Sequence, residues 1–79
     1  MSAKSLHMVI LTPESTLFDG PAASVSLPGT LGPFVVLPGH AAIISTLEKG
    51  KIVVGDASFA IRRGVAKVKD DEITVCAEI

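Results

Sequence analysis

The 79-residue chain sets seven lysines and arginines against eight aspartates and glutamates, for a formal net charge of -1, with 48% hydrophobic and 19% charged residues. That describes one domain, spanning residues 1–79, near the lower size limit at which a hydrophobic core alone supports folding. It lacks the basic face that phosphate contacts need. Its three aromatics, Phe18, Phe34 and Phe59, are too few to stack bases, so nucleic acid is excluded as a partner.

The opening, MSAKSLHMVILTPE, has one lysine and a short apolar run broken by His7 and stopped by Pro13. It is shorter than a signal-peptide core and far short of a membrane span. Cys76 is the only cysteine, so no internal disulfide forms and a reducing compartment is expected. The expectation is a protein on the cytoplasmic side that meets a membrane only through a partner.

Residues 6–12, LHMVILT, read as a strand with two apolar faces. Leu6, Met8 and Ile10 lie on one face and Val9 and Leu11 on the other, because side chains alternate with period two. Either the strand is central and buried on both sides, or its outer face meets another protein. Leaving Val9 and Leu11 in water forfeits roughly 1.5–3 kcal/mol each relative to burial. A domain this small has little material to cover both faces, which favours a partner.

Turn signals follow at Gly20-Pro21, Gly29 to Pro33, Pro38-Gly39, Gly50, Gly55-Asp56, Gly64 and Asp70-Asp71. With valine, isoleucine and threonine between them, they predict an all-β chain of many short strands in a sandwich or flattened barrel. Residues 25–47 organise the whole, since two Leu-Pro-Gly steps, at Leu27 and at Leu37, bracket the strand-like run Phe34-Val35-Val36-Leu37. Each step should end a strand and redirect the backbone. Between them Leu31 occupies the tip of a glycine-flanked loop, where a polar residue is usual. Residues 40–49, free of glycine and proline, are compatible with a strand or with a turn or two of helix.

Two hairpins can be laid out by arithmetic. With Gly55-Asp56 as a two-residue loop, Val54 faces Ala57, Val53 faces Ser58 and Ile52 faces Phe59. With Asp70-Asp71 as the second loop, Val68 faces Ile73 and Ala66 faces Val75. Lys69 then faces Glu72, and Lys67 faces Thr74, on the opposite side. A one-residue slip would scramble both faces of either hairpin.

Catalytic chemistry finds little footing. His40 is the one candidate general base, and a lone corner histidine more often bonds its own loop. No G-x-S-x-G, phosphate-cradling motif or metal-ligand spacing occurs. Neither a cofactor nor a metal is expected, and Cys76 reads as a small apolar strand residue. A small ligand-binding barrel with His40 at its mouth is the alternative.

The run LPGTLGPFVVLPGHA resembles the signature of the epsilon subunit of F-type ATP synthase, close to LPG-x-x-G-x-F-x-x-LPGHA. The likeness extends to Met8–Glu14, to Leu17-Phe18-Asp19-Gly20, to Thr46-Leu47 with Gly50, and to the last hairpin. It implies a sandwich of about ten short strands, the N-terminal domain of a non-catalytic rotor subunit. That subunit links gamma to the membrane ring of c subunits and couples ion flow to ATP synthesis, at the cytoplasmic face. Residue by residue, Thr30, Leu31, Gly32, Pro33 and His40 fall at ring-side and stalk contacts, and Val9, Leu11 and Thr12 on the gamma-facing strand.

Three departures accompany the resemblance. The helical hairpin that most members carry after the sandwich, with its ATP-sensing and inhibitory activity, has no counterpart in these residues. Leu31 and Pro33 stand where relatives are often acidic, so apolar and backbone contacts would hold the ring joint. Arg62-Arg63-Gly64 replaces a usual pair of glycines, leaving Gly64 to make that turn.

Overall fold

A computed structural model describes residues 5–79, and residues 1–4, part of the opening stretch read above, lie outside it. The described residues form nine strands: β1 Leu6–Leu11, β2 Thr16–Ala22, β3 Val25–Leu27, β4 Phe34–Val36, β5 Ile43–Leu47, β6 Gly50–Val54, β7 Ala57–Ile61, β8 Arg63–Lys69 and β9 Glu72–Glu78. They build two stacked sheets, β2-β1-β9-β8-β5 and β4-β3-β6-β7. A single bridge, Gly29 to Leu47, joins them at one corner. The architecture is therefore a sandwich and not a closed barrel.

Period-two patterning fills the space between the layers. The five-stranded sheet turns Leu6, Met8, Ile10, Ala66, Val68, Ile73, Val75 and Ala77 inward, and the four-stranded sheet answers with Val25, Leu27, Val36, Ile52, Val54 and Ile61. Each fully buried branched side chain contributes about 1.5–3 kcal/mol. Phe18 and Phe59 close one flank edge to face, with ring centroids 5.9 Å apart.

Both hairpins have the expected registers, Val54 opposite Ala57 and Val68 opposite Ile73 among them. Gly55 has φ 57° and Asp56 does not have positive φ, the sign pattern of a type II′ turn. Asp70 and Asp71, at φ 52° and 61°, make the type I′ counterpart. Strand β1 pairs with β2 antiparallel and with β9 parallel, so it is central in its sheet. Its outer face is only half covered, with Val9 and Leu11 of intermediate exposure.

Four expectations are corrected or decided. Gly20-Pro21 is not a turn, because β2 runs through it with Pro21 opposite His7. The His7 N–H donates to the Asp71 carbonyl, 2.9 Å away on the β9 side. The facing pair is thus non-hydrogen-bonded, and the donor that proline lacks would point out of the sheet edge. Gly64 makes no turn but pairs with Ala77 inside β8. A methyl there would lie 2.7 Å from the Cys76 carbonyl oxygen, so the glycine serves a close backbone approach, and the bend falls at Arg62. Gly50 opens β6 and is kept small by Pro28, 2.8 Å from where a Cβ would stand. Residues 40–49 contain a strand, β5, whose Ala66 and Val65 pairings in β8 decide it against helix.

Candidate functional site

Cross-strand register assembles an apolar face that no segment holds alone. On the outer side of the five-stranded sheet, Leu11 lies beside Cys76, Cys76 beside Val65, and Val65 beside Thr46. These residues and Pro13 line an open groove of about 650 Å³, with the Arg63–Glu78 ion pair, 3.1 Å, at its rim. The next row, Val9, Thr74, Lys67 and Ile44, mixes apolar and polar groups. The third, His7, Glu72 and Lys69, is wholly polar. Apolar character therefore rises towards the end of the sandwich where β1 and β9 finish, and exposed apolar surface of this kind marks contact sites.

Thr12 caps that end. Its amide donates to the Ser15 carbonyl (2.8 Å), its hydroxyl donates to the same oxygen, and the Ser15 amide donates back to Oγ1. The hydroxyl is thereby committed to the β1–β2 turn, which holds Pro13 at the groove wall.

The loop bearing Leu31 stands at the same end. The Gly32 amide donates to the Gly29 carbonyl at 3.0 Å, closing a four-residue turn. The Thr30 amide donates to the Thr46 carbonyl at 3.1 Å, and the two threonine hydroxyls lie 2.8 Å apart. The loop is thus tied to β5, one of whose residues also lines the groove. Leu31 itself is wholly exposed at 104%, and Gly32 and Pro33 are exposed beside it.

His40 is elsewhere. Leu37-Pro38-Gly39-His40 form a turn closed by the His40 amide on the Leu37 carbonyl (3.1 Å), with Pro38 second and Gly39 third at φ 86°, as a type II turn requires. The Gly39 amide donates to Asp71 Oδ1 at 2.7 Å, which places the corner at the β8–β9 turn. That is the opposite end of β5 from Thr30. The structure therefore brings Thr30, Leu31, Gly32 and Pro33 to the same end as Leu11 and Thr12, leaves Val9 midway, and sets His40 apart.

His40 Nδ1 donates to the Ala41 carbonyl at 2.7 Å, the loop-bonding role expected of a corner histidine. The space between the sheets is filled by aliphatic side chains, which removes the basis for a ligand-holding barrel entered past His40. Among the described residues no polar side chain is buried and no three metal-ligating groups converge. What the face offers is shape, apolar contact and backbone. Val65 and Cys76 were legible as members of it, since the β8–β9 arithmetic puts them on the side of Lys67 and Thr74, away from the core.

Residues 5–79 match the family model described as ATP synthase, Delta/Epsilon chain, beta-sandwich domain. The chain is 41% identical over 78 residues to the ATP synthase epsilon chain of Campylobacter jejuni (strain RM1221), covering 92% of this chain and 60% of that protein. To that of Synechococcus sp. (strain RCC307) it is 37% identical over 75 residues, covering 90% and 56%. It spans between about half and two thirds of the length of these curated relatives. Its fold is shared with a chain in the central stalk/c-ring structure of Tetrahymena thermophila mitochondrial ATP synthase, at TM-score 0.77 and 15% identity over 100% of this chain and 67% of that one. A chain in the Euglena gracilis mitochondrial ATP synthase structure with OSCP, F1 and c-ring gives TM-score 0.83 and 20% identity over 92% and 50%.

Proposed function

The chain belongs to the ATP synthase delta/epsilon-chain family, and from that premise we propose that it is a non-catalytic central-stalk subunit joining gamma to the c-ring. It sits peripherally at the cytoplasmic face of the membrane and couples ion-driven rotation to ATP synthesis. The observation that carries this reading is the meeting, at one end of a rigid sandwich, of an apolar groove and an outward apolar loop tip.

The groove around Leu11, Val65 and Cys76 takes gamma, with Val9 at its margin. The turn Thr30-Leu31-Gly32-Pro33 takes the ring. Thr12 acts at one remove, by fixing the β1–β2 turn. Torque passes between two partners only if the part between them does not shear, and two sheets sharing a filled aliphatic core provide that stiffness. Burying Leu31 against the ring contributes about 1.5–3 kcal/mol without any ionic partner. His40 stands at the far end, beside the β8–β9 turn and apart from the groove and the Leu31 loop.

Cys76 supplies the test. It is the only cysteine and is exposed in the groove, so maleimide labels it readily in the free protein. Co-elution with gamma on a sizing column should come with at least tenfold slower labelling. Co-elution with unchanged labelling would move gamma off this face, and no co-elution at micromolar concentration would remove the stalk reading.

A further inference from the structure

Strand β5 is an edge of the sheet that carries the groove, and the residues leading into the Leu31 turn close on that edge. The Thr46 carbonyl accepts from the Thr30 amide at 3.1 Å, and the Glu48 amide donates to the Pro28 carbonyl at 2.9 Å. Gly29 faces Leu47 between them. This is a short antiparallel pairing, so Thr30 stands opposite Thr46 on the same face of the sheet. Leu47 is buried and Thr46 exposed, which makes that the outer face. The groove row Leu11, Cys76, Val65, Thr46 thus runs on across the sheet edge to Thr30, the residue before Leu31.

The two threonine hydroxyls meet at 2.8 Å, and among the described residues Thr46 Oγ1 has no other hydrogen-bond partner. In the free chain water serves it equally well, since both threonines are exposed. A partner lying over the groove removes that water. A hydroxyl covered without a hydrogen-bond partner is costly. Under cover Thr46 therefore depends on Thr30, which reaches it only while the loop is closed on β5.

We propose that Thr30 is a positioning residue through which occupation of the groove and closure of the Leu31 loop favour one another. The inference rests on gamma as the occupant of the groove. It adds that gamma, once seated, holds the ring-side loop closed. Such coupling is reciprocal, so a partner that grips the closed loop also tightens gamma.

A double-mutant cycle on gamma affinity, with the chain and the purified gamma subunit, tests this. Thr30→Val keeps the branched shape but removes the hydroxyl, leaving Thr46 unpaired under gamma. It should weaken gamma binding about fivefold or more, although Thr30 is not among the residues that line the groove. Thr30→Ser keeps the hydroxyl and should bind as the parent does. In a Thr46→Val background no threonine hydroxyl lies under gamma at this point, so Thr30→Val should then change affinity by less than about twofold. Hydrogen exchange gives the reciprocal readout. Gamma should slow the Thr30 and Gly32 amides about fivefold or more in the parent, and by less than about twofold in Thr30→Val. Equal losses from Thr30→Val in both backgrounds, or weak binding by Thr30→Ser, overturn the proposal. Where Thr30→Val fails to fold, exchange in the parent decides. Gamma binding that leaves those amides unchanged overturns the coupling alone, whereas no gamma binding by the parent overturns it together with the stalk reading.

Discussion

Replacing Gly29 by alanine tests whether the Leu31 loop is as tightly drawn as its hydrogen bonds indicate. The φ of Gly29 is not positive, so alanine meets no backbone penalty and any cost is steric. Its methyl would stand 2.7 Å from the Gly32 carbonyl oxygen and 2.9 Å from the Phe34 ring, closer than real Cβ contacts permit. Phe34 is packed against the core and Gly32 closes the turn on Gly29 itself, so neither can withdraw freely. Overpacking of this kind costs about 1–3 kcal/mol, and each kcal/mol lowers Tm by roughly 4–8 °C in a domain of this size. Gly55→Ala is the matched control, with open space around the site but φ 57° at the first position of its type II′ turn, a backbone that an L side chain adopts at a cost of about 1–3 kcal/mol. Thermal melts compare the two variants, and amide shifts of Thr30, Leu31 and Gly32 should move in the first only. Parent-like melting of Gly29→Ala with unmoved loop amides would refute the drawn-in turn.

Ile52→Ala, at a wholly buried site in β6, should cost about 2–5 kcal/mol by urea titration, a cavity cost that surface changes do not approach. Asp71→Ala removes the carboxylate that holds the Gly39 amide. It should cost about 0.5–1.5 kcal/mol and speed hydrogen exchange at Gly39 and His40 while leaving Leu31 unchanged. The His7–Asp19 pair, 2.7 Å long but about half exposed on both sides, is worth little, and Asp19→Ala should shift stability by less than about 1 kcal/mol.

The parts of the fold legible in the sequence were those fixed by local geometry. Gly55-Asp56 and Asp70-Asp71 set their registers because a two-residue loop between alternating runs leaves one consistent pairing. The proline corners ended β3 and β4 as expected. Long-range pairing was not legible. Nothing local to LHMVIL specifies a parallel neighbour in ITVCAE, and only the sheet order shows β1 to be paired on both sides while its outer face stays half open. Pro21 read as a turn because its place on an edge, with the missing donor facing outward, depends on which strand lies beyond it. Gly64 read as a turn because the close approach of Cys76 belongs to tertiary structure. The candidate site divided in the same way. Leu31 and Leu11 were visible as apolar residues where polar ones are usual, whereas their convergence at one end, and the placing of His40 at the other, required the Thr30–Thr46 and Gly39–Asp71 contacts.

The most direct test compares Leu11→Asp with Leu31→Asp in the reconstituted enzyme, measuring gamma binding and hydrolysis-driven ion pumping on the same preparations. Leu11→Asp should weaken gamma binding at least tenfold, and Leu31→Asp should leave gamma binding intact while lowering ions pumped per ATP hydrolysed. Unchanged pumping with Leu31→Asp, or equal loss of gamma binding in both variants, would contradict the division of this end of the sandwich between two partners.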